Sequence, residues 1–184
     1  MKLLKPRIQP LQKDELTTEQ LGLLNQFAPR ASDTNVFRTL IRYPKSFERK
    51  LPFDIYIQRE ITLPPRDKEL LILRTGWLCQ AEYEWAAHAI SGRRAGLTDQ
   101  EILRITIGAK AEGWGSFDAT LLQAVDELHK DAFISDSTWV ALSKQYTEQQ
   151  IMDLILTVGQ YHMISMILNS FGVQLQEGAI GFPK

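Results

Sequence analysis

The chain of 184 residues has one cysteine, three histidines and no basic cluster. A single cysteine excludes an intramolecular disulfide and fits a reducing compartment. Formal net charge is −1, which gives no long-range attraction for nucleic acid or an anionic membrane surface. Arg93-Arg94 is a lone pair of like charges that reads as a solvated helix face. No unbroken run approaches the roughly 20 apolar residues of a membrane helix. The N-terminal MKLLKPRIQPL meets Pro6 before the apolar core of a signal peptide can form. The expectation is a cytoplasmic protein with neither nucleic-acid nor membrane partners. There is no Gly-rich phosphate loop, and GAKAEGWG has no preceding strand to make it a dinucleotide fingerprint.

Runs that alternate apolar and polar residues are also missing, so the pattern predicts an all-α fold. Apolar residues make up 44% and charged residues 23%, a globular balance. Residues 1–16 carry Pro6 and Pro10 and read as an arm; 17–175 read as a single domain; 176–184 read as a loose tail, suited to docking on a neighbour. Thr17, Asn35, Thr98, Ser135 and Thr147 are helix-capping residues, the ones at 17, 98 and 147 followed three residues later by Gln or Glu. Pro44 starts a helix that Pro52 should kink or split. Pro64-Pro65-Arg66-Asp67 starts another, and Gly96 ends the pattern that follows. That pattern is long, so two helices broken near Gly76–Gln80, or one helix bent there, are expected. The most apolar helix runs from about Glu148 to Phe171 and stops at Gly172, with Met163 and Met166 expected in the core and Trp139 pointing inward from the helix before it.

The chemistry-bearing stretch is LCQAEYEWAAH, residues 78–88. Glu84 and His88 are four apart and share a helical face. A carboxylate beside an imidazole holds one tautomer and raises its basicity, which suits proton transfer near neutral pH. Glu69, one helix earlier, reaches the same face if the two helices pack. Tyr83 and Trp85 supply amphipathic walls. The plain alternative is a surface Glu–His pair worth a few tenths of a kcal/mol. Cys79 has carboxylates for sequence neighbours, which disfavour a thiolate, so it reads as a buried structural thiol. His129 reads as a surface group. His162 reads as a core histidine or as a second lining of the Glu84–His88 pocket. No HExxH pair or other histidine cluster is visible, so no metal site is expected.

The span RDKELLILRTGWLCQAEYEWAAHAISGRRAGLTDQE, residues 66–101, resembles the carboxymuconolactone decarboxylase family, whose superfamily also holds the alkyl hydroperoxidase D-type proteins. The similarity extends over about residues 17 to 175, with Ala124-Val125-Asp126-Glu127-Leu128, SDSTWVAL and Asn169 to Gly172 resembling the longer, uncharacterised members. The resemblance implies a helical bundle built around a helical hairpin, and a homo-oligomer, trimeric or hexameric. Hydroperoxidase-type members carry a CxxC pair. Aligned on His88, those cysteines fall at Ala81 and Glu84, while the family's glutamate and histidine fall at Glu69 and His88. Disulfide-forming peroxide reduction needs two thiols, so that branch is disfavoured. The decarboxylase branch needs no cofactor. It implies loss of CO2 from a small unsaturated or lactone acid, with His88 as proton donor tuned by Glu84 or Glu69, and Arg74 as a clamp for the substrate carboxylate. Arg74 could equally form an intrahelical ion pair with Glu69 or Asp67. A third reading is a non-catalytic scaffold that kept the fold.

Overall fold

The computed structural model describes residues 3–183. Among them nine α-helices follow one another: α1 Thr18–Phe27, α2 Asn35–Leu40, α3 Pro44–Arg59, α4 Pro65–Leu78, α5 Glu82–Arg94, α6 Asp99–Ile105, α7 Ser116–Asp131, α8 Asp136–Leu142 and α9 Glu148–Phe171. No strand occurs among the described residues, so the chain is all-α. Thr17 and Thr98 form full capping boxes with Gln20 and Glu101, and the Ser135 side chain accepts from the Thr138 backbone amide. At α2 the cap position falls on Thr34, one residue before the expected Asn35. Pro52 does not split α3, which runs unbroken on both sides of it.

The chain forms two compact units. In the first, the described residues are 3–61 and 167–179. Its core is Leu24, Ala31, Ile41, Phe47 and Leu51. Phe37 stands between Phe27 and Phe47, with ring centroids 4.5 and 6.2 Å away. The N-terminal arm is tied down here: the Arg7 amide donates to Phe171 O and the Leu11 amide to Arg38 O. Gln174 and Gln176 donate to Leu3 O and Asp33 O, so this part of the C-terminal segment docks on its own chain.

In the second unit, described residues 62–166 and 180–183, α4 is the central helix. Every residue from Glu69 to Gly76 is buried, because α5, α6 and α7 pack around it. Leu70 to Leu73 on α4, Ile105 on α6 and Leu121 and Leu122 on α7 are all fully enclosed. Arg66 locks the start of α4 to α6 and α7 through Glu101 (2.5 Å) and Asp118 (2.9 Å). The last residues return to this unit. Phe182 sets its ring 5.0 Å from Trp77 and 5.7 Å from Trp85, which are 5.5 Å apart. Gly181 lies against the Glu82 carboxylate, where a Cβ would collide with it. Phe182→Ala should remove two aromatic pairs worth about 0.5–1.5 kcal/mol each. The expected readout is a red shift of tryptophan emission as Trp77 and Trp85 gain water; unchanged emission would place the tail elsewhere.

Helix α9 is apolar on nearly all sides, so its sequence did not show which side faces inward. Ile151, Leu154, Val158 and Tyr161 are buried, whereas Met152, Leu156, Met163 and Met166 are exposed. Met163 and Met166 are therefore surface residues, not core, and Trp139 is 45% exposed rather than inward. By length and mean hydropathy (1.4) α9 passes as a membrane-crossing helix, the only one among the described residues to do so, although no unbroken apolar run is present; half of the apolar window is buried in the fold.

Candidate functional site

The expected helix break falls between Leu78 and Glu82, where α4 ends in a Schellman motif. Gln80, not a glycine, takes the left-handed position (φ 53°). The Gln80 amide donates to Trp77 O (3.0 Å) and the Ala81 amide to Gly76 O (2.8 Å). Gly76 stays inside the helix for a different reason. A Cβ there would stand 3.5 Å from Glu84 Cβ and 3.7 Å from Trp85 N, so α5 packs close against α4 at this point. Gly92 does the same one end further on, with Leu73 Cδ1 at 3.3 Å and Glu69 Cβ at 3.8 Å from its would-be Cβ. The hairpin arms lie close at both glycines and tightest at Gly92, and the approach carries Glu69 onto the face of Glu84 and His88.

The result is a buried triad. His88 Nδ1 lies 2.8 Å from Glu69 Oε2, and its Nε2 lies 3.4 Å from Glu84 Oε2. All three residues are at most 9% exposed. Tyr161 of α9 closes one side, its ring edge-on to the imidazole at 4.9 Å. Burial by itself pushes the His88 pKa down. The hydrogen bond and charge of Glu69, then the charge of Glu84, outweigh burial against a small opposing effect of Lys68, and the pKa lies above its ordinary value. Protonated, the ring donates from Nδ1 to Glu69, which fixes its orientation. The Glu84 contact on Nε2 is longer than a normal hydrogen bond and is the one that can be exchanged. The arrangement can therefore hold a proton next to a second carboxylate and release it.

Trp85, Arg74 and His162, also expected at the site, have their ring, ion-pair and hydrogen-bond partners elsewhere. Trp85 is buried, but its ring faces Trp77 and Phe182. Tyr83 is half-buried on α5. Arg74 is corrected from a substrate clamp to a structural ion pair, and its partner is neither Glu69 nor Asp67. Its Nε lies 2.6 Å from Asp126 Oδ1, and Nη1 donates to Ile105 O (2.7 Å) and Thr106 O (3.0 Å). Gly108 (φ 93°) lies where a Cβ would strike this guanidinium. The reason is geometric: residue 74 lies on the side of α4 that meets α6 and α7, away from α5.

His162 does not join His88 either. Its Nε2 lies 2.9 Å from Nδ1 of His129, and Cys79 Sγ lies 3.9 Å from that same Nδ1. A histidine cluster thus exists although none was visible in the sequence, because its members sit 33 and 50 residues apart. Burial pushes the Cys79 thiol up, a hydrogen bond with Ser165 offsetting part of this. Burial and then the neighbouring His162 push His129 down, so it stays neutral at physiological pH. Tyr161 was also passed over; its only sequence signal is a place one residue before His162 on an apolar helix.

An all-α protein whose central helical hairpin encloses a carboxylate–imidazole–carboxylate triad is thereby defined. Residues 50–127 match the carboxymuconolactone decarboxylase family. The match spans less than half of the chain and, together with the fold, supports membership of the carboxymuconolactone decarboxylase and AhpD-like superfamily. No curated protein matches the chain significantly. Among solved structures it is similar to an uncharacterized peroxidase-related protein from Silicibacter sp. TM1040, at 12% identity and TM-score 0.78, covering 96% of this chain and 97% of that one. An alkylhydroperoxidase AhpD core protein from Ralstonia eutropha JMP134 matches at 16% identity and TM-score 0.78, with 92% and 93% covered. The debrominase Bmp8 matches at 10% identity and TM-score 0.77, with 92% of each chain covered. At such identities the likeness shows the AhpD-like helical fold and no shared activity.

Proposed function

We propose that this protein is a cofactor-free acid–base enzyme, carboxymuconolactone decarboxylase-like, acting in the cytoplasm on a small unsaturated or lactone carboxylic acid. The observation that carries the reading is the buried His88 ring with a carboxylate at each nitrogen. In the proposed step the C–COO⁻ bond breaks and CO2 leaves. The electron pair passes into the unsaturated lactone, and a proton is delivered to carbon. His88 supplies that proton from Nε2, directly or through Glu84, and Glu69 holds the ring by Nδ1. Arg74 has no part in it, since its donors serve Asp126 and two backbone carbonyls. Thiol-dependent hydroperoxidase activity fits less well: positions 81 and 84 are Ala and Glu, and burial disfavours the Cys79 thiolate. We also propose a homo-oligomer, for which the exposed stripe Met152, Leu156, Met163 and Met166 on α9 offers an apolar face.

A proton-NMR screen of unsaturated lactone acids, for turnover and saturable binding, tests the enzyme reading. His88→Gln should lower turnover by about 10²–10⁴-fold, the usual worth of a positioned proton donor. A helical circular dichroism spectrum would show the variant folded. Wild-type protein that neither binds nor turns over any such acid would leave the non-catalytic scaffold as the better reading.

A further inference from the structure

A second constellation lies apart from the triad. Cys79 caps the C-terminus of α4, His129 is in the last turn of α7, and His162 is in α9. We propose that Cys79, His129 and His162 bind one divalent transition-metal ion of the zinc class, as three protein ligands around a centre with a fourth position for an exogenous ligand.

The geometry comes close to what such an ion requires. Sγ of Cys79, Nδ1 of His129 and Nε2 of His162 are all within 4.8 Å of one another. Tetrahedral zinc with Zn–S near 2.3 Å and Zn–N near 2.0–2.1 Å sets ligand atoms about 3.3 Å apart for N–N and about 3.6 Å for S–N. The observed separations are 2.9 Å between the imidazole nitrogens and 3.9 Å between sulfur and His129. Shifts of a few tenths of an ångström bring these two sides to the required lengths, and the third, between Cys79 and His162, lies within 4.8 Å and closes by side-chain rotation.

The hydrogen bonding outside the triangle points the same way. His162 Nδ1 lies 2.9 Å from the Val158 carbonyl, which can only accept, so Nδ1 carries the proton and Nε2 turns its lone pair into the cluster. A histidine with one nitrogen tied to a backbone carbonyl and the other left basic is the usual arrangement of a metal-ligating imidazole. Without metal, His129 must donate from Nδ1 to that lone pair. On binding, the His129 proton moves to Nε2, the Cys79 thiol releases its proton to solvent, and the ion takes the three lone pairs. Nothing is oxidised or reduced.

The donor set selects the metal class. One thiolate and two neutral imidazoles favour zinc-type, borderline-soft ions and give magnesium or calcium no oxygen ligands. His129 is exposed and the other two residues are half-buried, so the ion can enter from solvent. The plain alternative is a packing contact in which the histidines satisfy each other and the thiol meets Ser165, and a cobalt titration separates the two.

The test uses the full-length protein after dialysis against a chelator, titrated with Co²⁺ and followed by absorption. Saturation at one equivalent is expected, with intense visible d–d bands of a four-coordinate site and a near-ultraviolet thiolate-to-cobalt band. Added Zn²⁺ should displace both. Cys79→Ser should abolish the thiolate band. His162→Gln should weaken binding by more than the roughly 10–100-fold that losing an outer-shell partner costs. As an independent readout, Zn²⁺ should raise the thermal midpoint of the wild type and not that of either variant. A six-coordinate cobalt spectrum without the thiolate band overturns the proposal. So does binding that survives both substitutions, or no binding at millimolar cobalt.

Discussion

Glu69→Ala should lower the stability of the protein by about 3–5 kcal/mol at neutral pH, the usual cost of removing one partner from a buried ion pair. That is a large part of the roughly 5–15 kcal/mol that holds a domain folded. The carboxylate is 5% exposed and binds His88 Nδ1 at 2.8 Å, so the stranded imidazole finds no water in its place. Pairing Glu69→Ala with His88→Leu should cost less than the sum of the two single changes, since the double variant strands no charge between positions 69 and 88. Equal costs, simply added, would show that the two side chains do not interact.

The pH dependence follows from the raised pKa of His88. A group bound to its proton more tightly in the folded than in the unfolded state stabilises the fold fully below its unfolded pKa, about 6.5. That contribution is lost as pH rises through the higher folded value. Besides burial, the charged groups that set it are Glu69 and Lys68 from α4 and Glu84 from α5. Urea unfolding at a series of pH values should therefore show the wild type exceeding His88→Gln by most below about pH 6.5. The gap should narrow as pH rises. In Glu69→Ala burial has one less carboxylate opposing it, the His88 pKa falls, and the slope flattens. A gap that widened with pH would mean that the folded state holds the ring neutral.

Arg74→Ala should be the second large loss, about 3 kcal/mol, at the lower end of the range for a broken buried pair. The reduction reflects Asp126, whose side chain is 29% exposed and regains water when abandoned. The carbonyl of Ile105, a residue with no exposure, gains nothing in exchange for its lost donor. Arg74→Lys keeps the charge but not the planar fork that reaches a carboxylate and two carbonyls together, and should cost about 1–2 kcal/mol. Chemical denaturation gives both numbers. Binding of an organic acid by folded Arg74→Lys should match the wild type, because the guanidinium is already engaged within the fold. A selective loss of binding would return Arg74 to the site.

Within α4 and α5 the site was unevenly legible. The Glu84–His88 spacing is a local property of any helix, so four residues of sequence were enough to place both on one face. Glu69 needed the two helices to pack, and Gly76 and Gly92 supply the space; with a single chain, nothing in the periodicity said that those glycines face each other's helix. Arg74 shows the limit from the other side. It lies five and seven residues from Glu69 and Asp67, not the three or four that pair side chains on one helix face, and its partner proved to be on another helix. Helix α9 gave the least warning, because an apolar residue on every side removes the contrast that marks an inner face, and Met163 and Met166 went to the surface.

Sequence alone determined most of the helices, the capping boxes at Thr17 and Thr98 and the break before Glu82, because these depend on residues within one or two turns of each other. It also shows a single thiol and no Gly-rich phosphate loop. Only the tertiary structure decided which distant side chains meet. The Glu69–His88 contact, the Arg74–Asp126 pair and the convergence of Cys79, His129 and His162 arise from how α4, α5, α7 and α9 pack. Packing is set by the sum of many small apolar contacts and leaves no short-range pattern in the chain.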